Sequence, residues 1–440
     1  KNRFFKYVSQ NILAMIGLSL YILADTYFIS KAVGANGITA LNMALPVYGV
    51  IFALGQMVGV GSAIRYSIVK EQYRNSNKDG SNECDKYFSG ALFWGLVIGV
   101  IFAVLGLVFP DKIVEIMGGD ETIVAIGVPY FRIFMSFSPF FIFNYTCNAF
   151  VRNDGNPSVS MAATLISSLF NIVFDYILMF PLGMGMPGAA LATALSPVVG
   201  VMICMIHFLS KKNTVKFKWF KISLTRLFHC CQVGMSAFVG EMSGAVIVMV
   251  FNFIILRLTG NIGVAAYGVV ANTALVAVAV FNGVALGSQP LISESYGKHN
   301  IKDIKLIEKL GVATALGLAV IIVIMIWGFT DTIVGVFNSQ GSDRLLSLAR
   351  VGLRIYFIGF LFAGINIFCS SALSAIASVK WAFVLSILKG FVVVNVCAAI
   401  LAPIFGMNGV WVAFPLSEFI LLIISGVAMK KSIGALESER

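Results

Sequence analysis

Apolar residues along this chain gather into long runs, and polar residues collect in short clusters between them. Runs long enough to span a bilayer fall at about 7 to 30, 38 to 63, 87 to 109, 122 to 150, 158 to 180, 187 to 210, 229 to 256, 263 to 292, 309 to 329, 345 to 374, 381 to 403 and 409 to 429. The pattern predicts twelve helices and an all-α polytopic membrane protein. Several runs exceed the minimal span and carry proline (Pro46, Pro139, Pro197, Pro290, Pro415), so tilted or kinked helices are expected.

The polar clusters orient the chain. Of 31 Lys and Arg, 23 fall in the first segment, in the connections after the even-numbered spans and in the tail, whereas four (Lys31, Lys112, Arg257, Arg344) fall in the opposite connections. This bias places both termini in the cytoplasm. The longest basic connection, KKNTVKFKWFK at 211–221, lies midway, with aromatics suited to the membrane interface and lysines suited to anionic headgroups.

An internal repeat divides the chain. VGANGITA at 33–40 aligns with TGNIGVAA at 259–266, and Gly61, Ser62 and Ser67 recur as Gly287, Ser288 and Ser293, all at a shift of 226. Arg132 and Asn144 recur as Arg354 and Asn366 at 222; Met186, Gly188, Ala192, Leu195 and Ser196 recur as Met407, Gly409, Ala413, Leu416 and Ser417 at 221. With an even number of helices per half, the repeats share one orientation. Two six-helix bundles related by a pseudo-twofold axis along the membrane normal are expected, with a cavity where they face each other. The boundaries are 1–210 for the first bundle, 211–228 for a basic linker, 229–430 for the second bundle and 431–440 for a cytoplasmic tail.

Composition sharpens this. Hydrophobic residues make up 59% and charged residues 12%, about half the charged share of ~25% in a soluble domain. The net charge of +11 resides in loops, so it does not indicate nucleic acid. Seven scattered cysteines lack metal-ligand spacing, and His207, His229 and His299 lie near helix ends, so neither disulfides nor a metal cluster is expected. The sequence opens at Lys1 rather than methionine, so its start is taken as trimmed and no targeting signal is judged.

The few charged residues inside spans carry the chemistry, because a carboxylate at a helix centre costs roughly 2.5–3.5 kcal/mol on insertion scales. Asp25 and Asp175 each precede the outer end of an outward-running helix by five residues, roughly 8 Å at ~1.5 Å per residue. Thr193 enters at the same level on the sixth span, and Asn171 shares the Asp175 face one turn deeper. If the first, fifth and sixth spans adjoin, Asp25, Asn171, Asp175 and Thr193 converge. Such an oxygen-rich set suits a hard cation such as sodium. It suits a proton equally, because two close carboxylates in low dielectric do not readily both ionise. Singly, either acid reads as a helix cap or as the partner of an arginine such as Arg132, and Asn171 and Thr193 read as interhelical hydrogen-bonding groups. Glu241 lies near mid-membrane and reads either as a cation or substrate group or as a buried paired acid. Lys389 is placed to snorkel, with Glu418 a candidate partner. Phe140, Phe141 and Phe143, around Pro139, are the aromatic cluster selected as a substrate lining.

These residues resemble a known family. FNIVFDYIL at 170–178 followed by GAALATA at 188–194, ADTYFI at 24–29, GSQPLIS at 287–293 with Tyr296 and Gly297, and RNDGNP at 152–157 resemble motifs of the MATE family, the multidrug and toxic compound extrusion transporters. The resemblance runs from about residue 8 to 430. It implies a bacterial inner-membrane antiporter of two six-helix bundles forming a V. Such a protein exports bulky, often cationic amphiphiles in exchange for sodium or protons, with no other cofactor, and works as a monomer among membrane lipids. It maps the cation site onto Asp25, Asn171, Asp175 and Thr193, with a contribution from Glu241 in some branches. Branches with a second site carry an acid in the tenth span; residues 345–374 contain none, which favours the DinF-like arrangement in the first bundle. A lipid-linked oligosaccharide flippase of the wider superfamily is the rival, but its cavity calls for several basic residues where this chain offers Arg132 and Lys389. A membrane-embedded enzyme would need paired Asp-rich metal motifs near helix ends, which Asp154 and Asp79 do not supply.

Overall fold

The computed structural model describes residues 1–76, 80–337 and 342–438; Asp79 and the last two residues of the tail lie outside them. Among the described residues every regular element is helical. The first half holds α1 (Asn2–Ala32), α2 (Ala35–Asn75), α3 (Ser81–Val108), α4 (Pro110–Ile116), α5 (Glu121–Ser136), α6 (Ser138–Asn153), α7 (Pro157–Met179) and α8 (Gly185–Phe208). The second holds α9 (Leu224–Thr259), α10 (Asn261–Gly297), α11 (Ile301–Phe337), α12 (Asp343–Tyr356), α13 (Phe360–Ala375), α14 (Val379–Ile387), α15 (Val393–Phe405) and α16 (Met407–Ser438). Eleven segments of the described chain are long and apolar enough to cross a membrane, and the pair α5 and α6, bent by 46°, makes a twelfth.

The breaks have local causes. Pro139 sits in the first turn of α6, where its missing N–H is tolerated, and Phe137 between α5 and α6 leaves helical geometry. The span built from α12 and α13 breaks at the equivalent place, in a 3-10 turn over Phe357–Gly359. A Cβ on Gly359 would meet the Phe414 ring at 2.5 Å, so this break lets α16 approach closely. The repeat is also visible in backbone geometry. Gly34 and Gly260, 226 residues apart, precede α2 and α10 with φ of 81° and 68°, a region that disfavours side chains.

By contact the chain divides into two compact units, Phe5–Glu241 and Met242–Arg440 with Lys1–Phe4. The division falls within α9. The first turns of α9 approach α2 closely. A Cβ on Gly61 would stand 2.1 Å from the Cys230 carbonyl oxygen, and one on Gly234 would stand 2.0 Å from that of Met57. Small residues let the helix backbones meet, so the first turns of α9 pack with the first unit. Gly234→Ala is therefore expected to destabilise by about 1–3 kcal/mol through overpacking. Gly244→Ala, further along α9 with nothing within 4 Å, should stabilise by about 0.5–1 kcal/mol through helix propensity. Opposite shifts in thermal unfolding in detergent check the pair.

In the first unit an aromatic core fixes the bent span. Tyr48 of α2 stacks on Phe134 of α5 at 4.5 Å and meets Phe141 of α6 edge-on at 5.3 Å. Beside it, α8 buries Ala189, Ala190, Ala192 and Ala194 completely, and small residues on several of its faces let α5, α6 and α7 pack around it.

Candidate ion site

Helix α1 lies parallel to α7 in constant register. Gln10 Nε2 donates to Ser158 Oγ at 2.8 Å, Gly17 faces the Leu165 side chain, and the Phe28 ring centroid lies 6.1 Å from that of Tyr176. Each pair is offset by 148 residues, so Asp25 falls level with residues 173 to 175, and the Asp25 and Asp175 carboxyl groups stand within electrostatic reach of each other. On α7, Asn171 and Asp175 share one face at i, i+4 and are both fully buried. From α8, Thr193 Oγ1 accepts a hydrogen bond from Asn171 Nδ2 at 3.3 Å. The four residues singled out in the sequence thus stand together within the first unit.

The structure adds two that the sequence reading missed. Tyr21, one turn before Asp25, and Tyr130, buried on α5, both lie within electrostatic reach of the two acids. The four-residue spacing of Tyr21 from Asp25 is a signal visible in the sequence. Tyr130 depends on how the bent span packs, which is not.

The site is rich in unsatisfied oxygen. Asp25 Oδ1, both Asp175 oxygens, Asn171 Oδ1 and the Tyr130 hydroxyl are buried without a hydrogen-bond partner among the described residues. No cationic side chain acts on either acid among those residues; each is the charged neighbour of the other. Buried polar atoms ordinarily find partners, and two ionised carboxylates that act on each other in a buried site repel far more strongly than in water. A captured proton or a monovalent cation relieves both deficits, and an all-oxygen donor set matches a hard cation. No group of three or more His, Cys, Asp or Glu side chains that could hold a metal ion occurs among the described residues.

The remaining candidates lie elsewhere. Glu241 on α9 is exposed and accepts a 2.6 Å hydrogen bond from Gln56 Nε2 of α2. Arg132 is exposed on α5, so it does not neutralise the acids. Phe140, Phe141 and Phe143 are only partly together: Phe140 is exposed and meets Phe143 edge-on at 6.4 Å, Phe143 also lines a cavity beside the linker, and Phe141 is buried apart from them in the aromatic core. In the second unit, the buried Glu418 carboxylate accepts a 2.7 Å bond from Asn366 Nδ2, whose own Oδ1 accepts from Ser425. Lys389, in a π-helical turn over Leu388–Val392, lies within electrostatic reach of Glu418.

A second polar centre ties down the linker. Asp154, which caps α6, has a fully buried side chain. It accepts from Tyr66 Oη at 2.6 Å, Lys70 Nζ at 2.8 Å, His207 Nε2 at 2.9 Å, the Thr214 backbone N–H at 2.9 Å and the Thr214 hydroxyl. Burial alone would raise its carboxyl pKa, but the His207, Lys70 and Thr214 partners hold it well below the usual carboxylate range. His207 Nδ1 faces Asn156 Nδ2 at 3.2 Å, so a neutral ring protonated on Nε2 satisfies both contacts.

Against known proteins, the model of the MatE family matches residues 11–177 and 237–404, together more than half of the chain. The two matches begin 226 residues apart (237 − 11 = 226), the interval at which Gly34 recurs as Gly260. A multidrug export protein, MepA, of Staphylococcus aureus is 27% identical over 420 residues, covering 92% of this chain and 88% of that protein. MepA of Staphylococcus saprophyticus is 24% identical over 396 residues, covering 89% and 85%. Among solved structures, an outward-facing multidrug resistance MATE family transporter of the MOP superfamily superposes with a TM-score of 0.92 at 22% identity, over 99% of this chain and 96% of that one.

Proposed function

The chain belongs to the MatE family of multidrug export transporters, and from that premise we propose that it is a cation-coupled antiporter. It exports amphiphilic, often cationic, organic compounds in exchange for sodium ions or protons bound at Asp25, Asn171, Asp175 and Thr193. The protein is multi-pass; the proposed setting is the bacterial cell membrane, with both termini and the linker in the cytoplasm, as the loop charges favour.

One observation carries this reading: two buried carboxyl groups within electrostatic reach of each other, with orphaned oxygens around them and no cationic partner among the described residues. When both acids are ionised, their repulsion favours separation of α1 from α7. Capture of one positive charge cancels that repulsion and lets the carboxylates share a ligand, which favours the packed arrangement. Exchange follows if the ion prefers one arrangement of the helices and the organic substrate the other, since a ligand that binds both equally shifts nothing. Asn171 and Thr193 supply neutral oxygens and hold the Asp175 face against α8; Tyr21 and Tyr130 close the site with hydroxyls.

The test is efflux of ethidium from proteoliposomes, first under an imposed inward sodium gradient and then under a pH gradient. Efflux driven by at least one gradient, and absent with neither, is the expected result. Equal efflux with and without both gradients would refute coupling.

A further inference from the structure

A cavity of about 690 Å³ lies away from the paired acids, with no lining residue from α1 or α7. Its cover is the linker. Residues 213–223 form no regular element, and their alternation of Lys with aromatic residues suits an extended strap with two faces. On one face the backbone N–H groups of Lys216 and Lys218 donate to Asp85 Oδ1 and Ser89 Oγ of α3 at 2.8 and 3.0 Å, and Lys218 Nζ pairs with Asp85 at 2.7 Å. Behind the strap the chamber is apolar, walled by Phe88, Leu92 and Trp94 of α3, Phe143 of α6 and Met205 of α8.

The mouth is cationic. Lys86, Lys221 and Arg226, with Ser223, enclose an adjoining pocket of about 290 Å³. Lys86 pairs with Glu83, and Arg226 stands 3.6 Å from the same carboxylate. Among the described residues Glu83 is the one acid paired with these cations, so the mouth keeps net positive charge. The volume suits a small amphiphile, and the arrangement asks for an apolar tail joined to an anionic head. An exported organic cation has the wrong sign for this mouth.

We propose that the cavity binds one anionic phospholipid, with an acyl chain in the apolar chamber and its phosphate at Lys86, Lys221 and Arg226, under the linker strap. The proposal rests on the orientation above, which puts the linker in the cytoplasm, so the lipid comes from the inner leaflet. It does not use the ion site.

The test titrates the detergent-purified full chain with phosphatidylglycerol carrying brominated acyl chains, with brominated phosphatidylcholine, and with inorganic phosphate, reading tryptophan quenching. Brominated phosphatidylglycerol should quench saturably. Because Trp94 and Trp219 both line the cavity, Trp94→Phe and Trp219→Phe together should remove most of the saturable part. Phosphatidylcholine should need a concentration at least about tenfold higher. K86Q/R226Q should weaken phosphatidylglycerol by roughly fivefold per charge. The charge-preserving Lys86→Arg and the off-site Lys211→Gln should bind as wild type, which separates lost charge from lost fold. Equal midpoints for the two lipids, an unchanged midpoint in K86Q/R226Q, or full displacement of the lipid by inorganic phosphate would overturn the proposal. Gradient-driven ethidium efflux of the same preparation reports on the antiport reading, so either can fail without the other.

Discussion

Asp175→Asn is expected to reduce gradient-driven ethidium efflux to the level of protein-free liposomes while the protein stays inserted and folded. Asparagine preserves the size of the side chain at a site buried completely against α8, so packing changes little. What changes is charge: one carboxylate cannot repel a neutral amide, and the arrangement of α1 and α7 no longer depends on ion capture. Asp25→Asn should have the same effect. The double variant should be no worse than either alone, because the two acids act as one unit and their contributions do not add. Stability separates this from a structural role. Removing one of two unneutralised buried acids should leave the thermal midpoint in detergent unchanged or raised, since it deletes repulsion and an unsatisfied group. A variant that melts earlier yet still transports would show that the acids hold the fold instead of coupling the ion.

The membrane architecture was legible because the bilayer imposes a coarse rule: a span must be long and apolar, and its connections are charged. The same rule set Asp25, Asp175 and Thr193 at one level along their helices, and the i, i+4 spacing put Asn171 on the Asp175 face. Bringing the acids to one level needed only that α1 and α7 run parallel, and the 148-residue register supplies it. What was not legible depends on contacts far apart in sequence. Tyr130 reaches the acids through the bend between α5 and α6. Asp154 was visible within its motif, but its role required Thr214, 60 residues on, to return to it. The aromatic cluster around Pro139 shows a local oversight: residues two apart on a helix face different ways, so Phe141 entered the core while Phe143 turned toward the linker cavity. The close approach of α9 to α2 was hidden because it depends on two glycines, Gly61 and Gly234, whose significance lies in what they lack.

Asp154→Ala should release the linker. In the native protein this one carboxylate gathers His207 from α8, Lys70 and Tyr66 from α2 and Thr214 from the linker, and its side chain is fully buried. Removing it strands a buried imidazole donor and an ammonium group. Loss of one partner from a buried pair costs about 3–5 kcal/mol, and the lower end, about 3 kcal/mol, applies because Lys70 keeps partial access to water. The freed segment carries Lys211, Lys212, Lys216, Lys218 and Lys221, so limited trypsin digestion should cut there many times faster than in the wild type. The pH dependence has a definite sign. A carboxyl held below its unfolded value, about 3.9, contributes stability that is complete above that value and is lost only as pH falls through the lower folded value. Scored against the unfolded chain digested at the same pH, wild-type linker protection should therefore persist at pH 5, and the alanine variant should lack it at pH 7 and pH 5 alike. Asp154→Asn should fall between them, since the amide keeps one acceptor oxygen for Thr214 but cannot attract Lys70. Equal cleavage of all three proteins at pH 7 would show that the pairing of Lys216 and Lys218 with Asp85 and Ser89 holds the linker without Asp154.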